Sequence, residues 1–306
     1  MSFTVKFKIL FLLIYLFLSS GCNTLAKKFN QEPILKIGLI ADPQYENRET
    51  SGSRFYRESL RKLTEAIDTF NNNHVAFIQT LGDVINGRWE SFDSILQLYD
   101  RLDISIENHY LLGNHEFAVE SKYLSQLITR LQMPDYYYSY TMEGWRFIAL
   151  DGTDYCVMSL PVHPDHQMKL DEYRKKANHT NNYDWNGAIG PEQQTWLKTQ
   201  LDSSKLNHEK VIIFCNIPVI LGNDESAILL NDYEIISLLE KYSCVVAYIA
   251  GHNHKGDHVV KNNIHYITLK SMVEGTQNSF TMLEIFKNRI QLEGFGNQPD
   301  INFDIL

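Results

Sequence analysis

The side chains best suited to chemistry fall in five short segments. They are Asp42-Pro43-Gln44, Gly82-Asp83-Val84-Ile85-Asn86, Gly113-Asn114-His115-Glu116, Asn216-Ile217-Pro218 and Gly251-His252-Asn253-His254. Each directly follows a short apolar run. Any one of them alone reads as a turn. Five in order place a carboxylate, amide or imidazole at the carboxyl ends of successive strands, the edge where open α/β sheets bind ligands. Two Asp, two His and several amide oxygens converging on one crevice cannot stay there as bare groups at low dielectric. A pair of divalent cations supplies the compensation. Glycines ahead of Asp83, Asn114 and His252 allow the sharp strand-to-loop turns that direct short side chains inward.

The elements that must hold these segments are legible as apolar runs at 36–41, 75–81, 109–112, 145–150, 211–215, 245–250, 264–269 and 280–286. Their unalternating character predicts strands covered on both faces. Between them, Tyr56, Leu60, Leu63, Ile67 and Phe70 recur at spacings of four and three and make one helical stripe. Phe92, Ile95, Leu96, Tyr99 and Leu102 make another. Pro191 opens a third helix carrying Trp196, Leu197 and Leu201, and Asn231-Asp232 reads as the N-cap of a fourth. Strands and helices alternate without repeat or mid-chain linker, so 35–306 reads as one α/β domain, with consecutive hairpins expected over 264–294. Residues 152–190, rich in Tyr, Asn, His and Asp, interrupt the alternation and read as an insertion contributing to a substrate site.

Composition sets the limits. A content of 44% hydrophobic and 12% aromatic residues is enough for a packed core. With 28 Lys+Arg against 37 Asp+Glu, the net charge of -9 argues against extended nucleic acid as a partner. Lys6 and Lys8 precede an apolar run from Ile9 to Leu18, too short to span a bilayer and shaped like a secretory leader. The sequence Leu18-Ser19-Ser20-Gly21-Cys22 resembles a bacterial lipobox. It implies a signal peptide over 1–21, lipidation at Cys22 and a tether over 22–34. The expected location is extracytoplasmic, on a membrane through that anchor. Cys156, Cys215 and Cys244 then have no necessary pairing and read as small buried hydrophobes.

The motif series resembles the calcineurin-like metallophosphoesterases, whose pattern is D-x-H, G-D-x-x-N, G-N-H-E/D, a later His and G-H-x-H. It is most similar to the manganese-dependent ADP-ribose/CDP-alcohol diphosphatases, which carry Gln at the position of Gln44. Arg54-Phe55-Tyr56-Arg57, Leu150-Asp151-Gly152, Asn186-Gly187 and Asn231-Asp232-Tyr233-Glu234 are further local similarities. The resemblance implies a four-layer α-β-β-α sandwich with mixed sheets and two divalent ions, Mn²⁺ or else Mg²⁺. It implies that Asp42, Gln44 and His254 hold the first ion, that Asp83 bridges, and that Asn114, His252 and residue 216 hold the second. His115 takes the position of the catalytic histidine. The family has His where this chain has Asn216, so two imidazoles are replaced by amides. An oxygen-rich site favours Mn²⁺ or Mg²⁺ over Zn²⁺.

The implied reaction is attack by a hydroxide shared between the ions on the phosphoanhydride of a small-molecule nucleotide derivative of the ADP-ribose or CDP-alcohol type. Cyclic nucleotides, other phosphodiesters and phosphomonoesters are alternative substrates for the same site. A lipid-anchored binding protein weakened by Asn216 is the alternative from another class. Phe117, Asn186 and Gly187 are the candidates for substrate contact and Arg57 for a distal phosphate. Tyr136 to Tyr138 read better as a half-buried strand. His258 and His265 follow the last motif closely enough to support its ligands.

Overall fold

The computed structural model describes residues 32–177, 180–222 and 224–305. The leader, Cys22 and most of the tether lie outside the described residues. All eight apolar runs form strands: β1 (Leu35–Ile40), β2 (Phe77–Thr80), β3 (Glu107–Tyr110), β5 (Trp145–Ala149), β8 (Lys210–Phe214), β9 (Val245–Ala250), β11 (Ile264–Lys270) and β12 (Ser279–Ile285). The remaining strands are β4 (Tyr138–Met142), β6 (Tyr155–Cys156), β7 (Gly187–Ala188), β10 (Lys255–Lys261), β13 (Arg289–Gly296) and β14 (Ile301–Asp304).

They build two six-stranded sheets, in the orders β14-β13-β12-β1-β2-β3 and β10-β11-β9-β8-β5-β4, with β6 and β7 as a separate pair. β1-β2-β3 run parallel at one edge of the first sheet with antiparallel β12 beside β1, and β5-β8-β9-β11 run parallel in the second between antiparallel β4 and β10. The expected hairpins over 264–294 are only half present. β12 and β13 pair, but β11 belongs to the second sheet and β12 to the first, so the chain crosses between sheets after Lys270.

The sheets face each other across a core of Ile37, Leu39, Phe77, Phe147, Phe214, Ile249 and Leu283. On the outer face of the first sheet lie α1 (Glu58–Asn72) and α2 (Ser91–Tyr99). Their stripes, Leu63, Ile67 and Phe70 with Phe92 and Ile95, pack on Ile40, Ile78 and Phe280. On the outer face of the second lie α4 (Pro191–Asn207) and α5 (Asp232–Leu239), where Leu197, Leu201, Ile235 and Leu239 meet Ile148, Val211 and Ile213. The layers are therefore α-β-β-α, as the resemblance implies. Strands buried on both faces explain the unalternating runs.

The described residues of 152–190 include β6, β7 and α3 (Gln167–Lys176), whose Leu170 and Tyr173 pack with Ala188 and Leu230. Asn231 stands at the N-cap of α5 but makes no capping hydrogen bond. Its side chain instead accepts from the Ile189 N–H and donates to the Ile189 carbonyl, which ties the insertion to the second sheet. Cys156, Cys215 and Cys244 are free thiols.

Candidate metal centre

The parallel strands of both sheets bring the five segments to one cleft. Five of their non-glycine residues adopt positive φ: Asp42 (47°), Gln44 (43°), Asp83 (51°), His252 (65°) and His254 (67°). L-residues enter this region at a cost of about 1–3 kcal/mol each, and such strain collects at functional sites. The packing around it is close. A Cβ on Gly113 would lie 2.2 Å from Asp83 Oδ1, and one on Gly251 would lie 2.8 Å from Asp42 Oδ2. Only glycine lets those loops approach the carboxylates.

Asp42, Gln44, Asp83, Asn114, Asn216 and His252 come together here with His254 and His115. His115 N–H donates to Asp83 Oδ1 (2.8 Å), and Gln44 Nε2 lies 3.4 Å from Asp83 Oδ2 and 3.0 Å from His254 Nε2. Asn216 Nδ2 donates to Asp42 Oδ1 (3.2 Å) and to the Leu81 carbonyl (2.8 Å). The opposite atoms of the amides are the telling ones. Gln44 Oε1, Asn114 Oδ1 and Asn216 Oδ1 are all buried without a hydrogen-bond partner. An orphaned carbonyl oxygen costs roughly 1–3 kcal/mol unless something binds it, and three around one cleft fit hard cations. Among the described residues no cluster of three or more His, Cys, Asp or Glu is disposed to hold an ion. Here the unpartnered amide oxygens stand among the carboxylates and imidazoles.

The electrostatics agree. Burial raises the Asp42 carboxyl to about 7, with His254 opposing and Asp83 adding to the rise. Burial lowers His252 to about 4 and depresses His115 as well. Without cations the site therefore disfavours its own charges in both senses; divalent ions reverse that for the carboxylates and take neutral imidazole as a ligand. The histidines are oriented for it. His254 Nδ1 is 2.7 Å from Glu274 Oε1, which directs Nε2 into the cleft, where it meets the Gln44 amide. His252 Nε2 is 3.0 Å from Asn186 Oδ1, which leaves Nδ1. An oxygen partner on the other ring nitrogen is the usual way a protein fixes the ligating tautomer.

The other sequence candidates fall elsewhere. Asn186 is buried and engaged with His252, Asn181 and Ser226. Phe117 is buried among core side chains, and Gly187 packs against Gly152, whose carbonyl oxygen would lie 2.3 Å from an added Cβ. Arg57 bonds Asn47 and Glu49 on the exposed side of α1, whereas Arg54 lines the cleft. His258 and His265 pair with each other at 3.0 Å, away from the metal ligands. Of Tyr136 to Tyr138, expected as a half-buried strand, only Tyr138 enters one, opening β4; Tyr136 and Tyr137 lie in the bend before it.

Two carboxylates support the site: Glu116, the last residue of the Gly113–Glu116 segment and assigned no role from sequence, and Glu274, which lies outside every motif. Glu116 is fully buried and accepts from the backbone N–H groups of Asp83, Val84, Ile85 and Gly113, stitching two ligand loops together. Glu274, held near pKa 2 first by its bond to His254, comes from the loop after β11.

A strand-end cleft between two mixed sheets, lined by carboxylates, amides and imidazoles with unpartnered oxygens, defines a dinuclear metallohydrolase. Residues 35–256 match the family model for calcineurin-like phosphoesterases, and the chain belongs to that family. Relatives named manganese-dependent ADP-ribose/CDP-alcohol diphosphatase include one from Oryza sativa, 28% identical over 89% of this chain and 94% of its own. Another, from Homo sapiens, is 26% identical over 91% and 95%. A dimetal phosphatase crystal structure from Danio rerio superposes with a TM-score of 0.81 at 25% identity, over 90% of this chain and all of that one. The protein is thus a hydrolase of phosphate bonds with a dinuclear divalent-metal centre of the manganese type. When bound, the two ions supply Lewis acidity and charge neutralisation to the phosphoryl group.

Proposed function

We propose that this chain hydrolyses the phosphoanhydride of nucleoside diphosphate derivatives of the ADP-ribose or CDP-alcohol type. Trp185 is the observation that carries this reading. It lines the metal cleft with 44% of its surface exposed, and its ring stacks on Tyr183 at 4.5 Å and 6°. A rigid aromatic face beside the reacting centre suits a nucleobase; a simple phosphomonoester has no use for it. The names of the coextensive relatives support the same substrate class.

In this reading Asp42, Gln44, Asp83, Asn114, Asn216, His252 and His254 hold the ions, and Glu116 and Glu274 hold the holders. Water adds across the P–O–P link, giving a nucleoside monophosphate and a phosphorylated alcohol. His115, bonded through its backbone to Asp83 and lining the cleft, donates a hydrogen bond from its neutral ring to the leaving oxygen. Asn216 acts as a ligand: its nitrogen is committed to Asp42 and Leu81, and its oxygen remains unpartnered. Chromatography of products from ADP-ribose, CDP-glycerol, 3′,5′-cyclic AMP and p-nitrophenyl phosphate with Mn²⁺ tests the substrate. AMP from ADP-ribose or CMP from CDP-glycerol is expected; turnover confined to the cyclic ester or the monoester removes the reading.

The N-terminal pattern supports a second, separate proposal, that the mature chain is anchored at the cell envelope through lipidated Cys22. Radiolabelled palmitate should enter the full chain in a bacterial host and be lost in Cys22→Ala. Equal labelling of both would contradict it.

A further inference from the structure

The His252-Asn253-His254 segment separates two cavities. One, of about 550 Å³, holds Trp185, Met158 and His115; the other, of about 570 Å³, holds Ser53, Lys270, Glu274, Ser279 and Asn297. Arg54, His252, Asn253, His254 and Lys255 line both. A substrate with its reacting phosphate at the metal ligands therefore extends into each. The first cavity offers a stacking face for a base. The second has no Phe, Tyr or Trp in its lining.

The charge of the second cavity is cationic. Arg54, Lys255 and Lys270 face one carboxylate, Glu274, which already bonds His254 at 2.7 Å and lies 3.8 Å from Arg54. Lys255 is paired with Asp224 at 3.0 Å but remains largely exposed. Lys270 ends β11, and its stem fills the space beside Gly256, where an added Cβ would be 2.8 Å from Lys270 Cγ. Ser53, Ser279 and Asn297 add hydroxyl and amide groups that both donate and accept.

Resting on the diphosphatase reading above, we propose that this second cavity is the leaving-group subsite and that it selects hydroxyl-rich, uncharged or anionic alcohols over quaternary-ammonium alcohols. A polyol finds donors on Arg54, Lys255 and Lys270 and two-way partners on the serines and Asn297. A choline headgroup needs aromatic faces around its cation. It meets three cations instead, and selectivity follows from that repulsion as much as from the attraction of hydroxyls.

CDP-glycerol and CDP-choline share one nucleotide and one scissile bond, so their kcat/KM ratio isolates the subsite. With Mn²⁺ the wild-type protein should favour CDP-glycerol by about tenfold or more. Lys270→Glu should shrink that ratio several-fold, mainly by improving CDP-choline. Lys270→Gln serves the same purpose should the charge reversal impair folding, which thermal melting reports. Calorimetric binding of glycerol 3-phosphate ahead of phosphocholine is the matching readout without turnover. Equal kcat/KM for the two substrates, or a ratio unmoved by either variant, overturns the subsite and leaves the diphosphatase reading intact. Cleavage of neither substrate, nor of ADP-ribose, overturns that reading and the subsite with it.

Discussion

Gly113→Ala isolates what close approach contributes to the metal centre. Its backbone φ is not in the left-handed region, so alanine brings no conformational penalty of its own. The new methyl would sit 2.2 Å from Asp83 Oδ1, 2.7 Å from Asp83 Cγ and 2.9 Å from Asn216 Cγ. A relaxed carbon–oxygen contact needs about 3.3 Å, so the Asp83 carboxylate must retreat by roughly 1 Å. Metal–ligand bonds tolerate only about 0.2 Å, and on the proposed assignment Asp83 is the ligand shared by both ions. Overpacking of this kind costs about 1–3 kcal/mol of stability, which a domain of this size survives. A 1 Å displacement at the reacting centre costs about 100-fold in rate. The expected result is a folded protein, by thermal melting, with Mn²⁺ content reduced and kcat on ADP-ribose down at least about 100-fold. Gly222→Ala is the control, since its Cβ would be 3.4 Å from the nearest atom, Asp257 Oδ2. A folded Gly113→Ala with two Mn²⁺ and wild-type kcat would refute the reasoning.

Lys62 is wholly buried and its ammonium donates to the carbonyls of Met272 (2.6 Å), Glu274 (3.1 Å) and Gly275 (2.8 Å), fixing the loop that presents Glu274 to His254. Lys62→Met should weaken Mn²⁺ binding about tenfold with turnover restored at saturating Mn²⁺; an unchanged Mn²⁺ titration would contradict this. Arg54→Ala should raise KM about tenfold by removing a cation from the cleft, whereas Arg57→Ala should stay within about twofold, and steady-state kinetics in which Arg57→Ala is the damaging change would reverse the assignment. Asp151 is fully buried, and burial, then Asp154, raises its carboxyl from 3.8 to about 7. Over that window the folded chain keeps a proton that the unfolded chain has lost, so this group's contribution to stability declines as pH rises from 3.8 and is fully lost above about 7. Asp151→Asn should flatten that decline in urea melts; an unaltered pH profile would dismiss Asp151 as its source.

What the sequence made legible follows from where its side chains point. β1, β2, β8 and β9 are buried on both faces, so their apolar runs stand out, and the proposed ligands sit at their ends; β3 is a partly exposed edge strand whose apolar signal comes from the buried Leu111 and Leu112 that follow it. β10 reads Lys-Gly-Asp-His-Val-Val-Lys because it is an exposed edge strand with little apolar signal. Which sheet a strand joins is a tertiary decision, and the path from β11 to β12 shows it: the two look like neighbours and belong to opposite sheets. The same limit applies to Phe117, Gly187 and Arg57, whose adjacency to motif residues says nothing about the direction of the side chain. Asn186 is instructive in another way. It reaches the centre through His252, a role that chain position alone does not separate from substrate contact. Glu274 reaches His254 from a loop with no motif of its own, and only the fold brings the two together.

The central claim is that two ions share Asp83 between the ligand sets drawn from the two sheets. Anomalous diffraction at the manganese edge, from crystals of the Mn²⁺-loaded protein, tests it most directly. The account predicts two peaks per chain flanking the Asp83 carboxylate, one beside Asp42, Gln44 and His254 and the other beside Asn114, Asn216 and His252, and neither peak in Asp83→Asn. A single peak, or two that persist in Asp83→Asn, would contradict it.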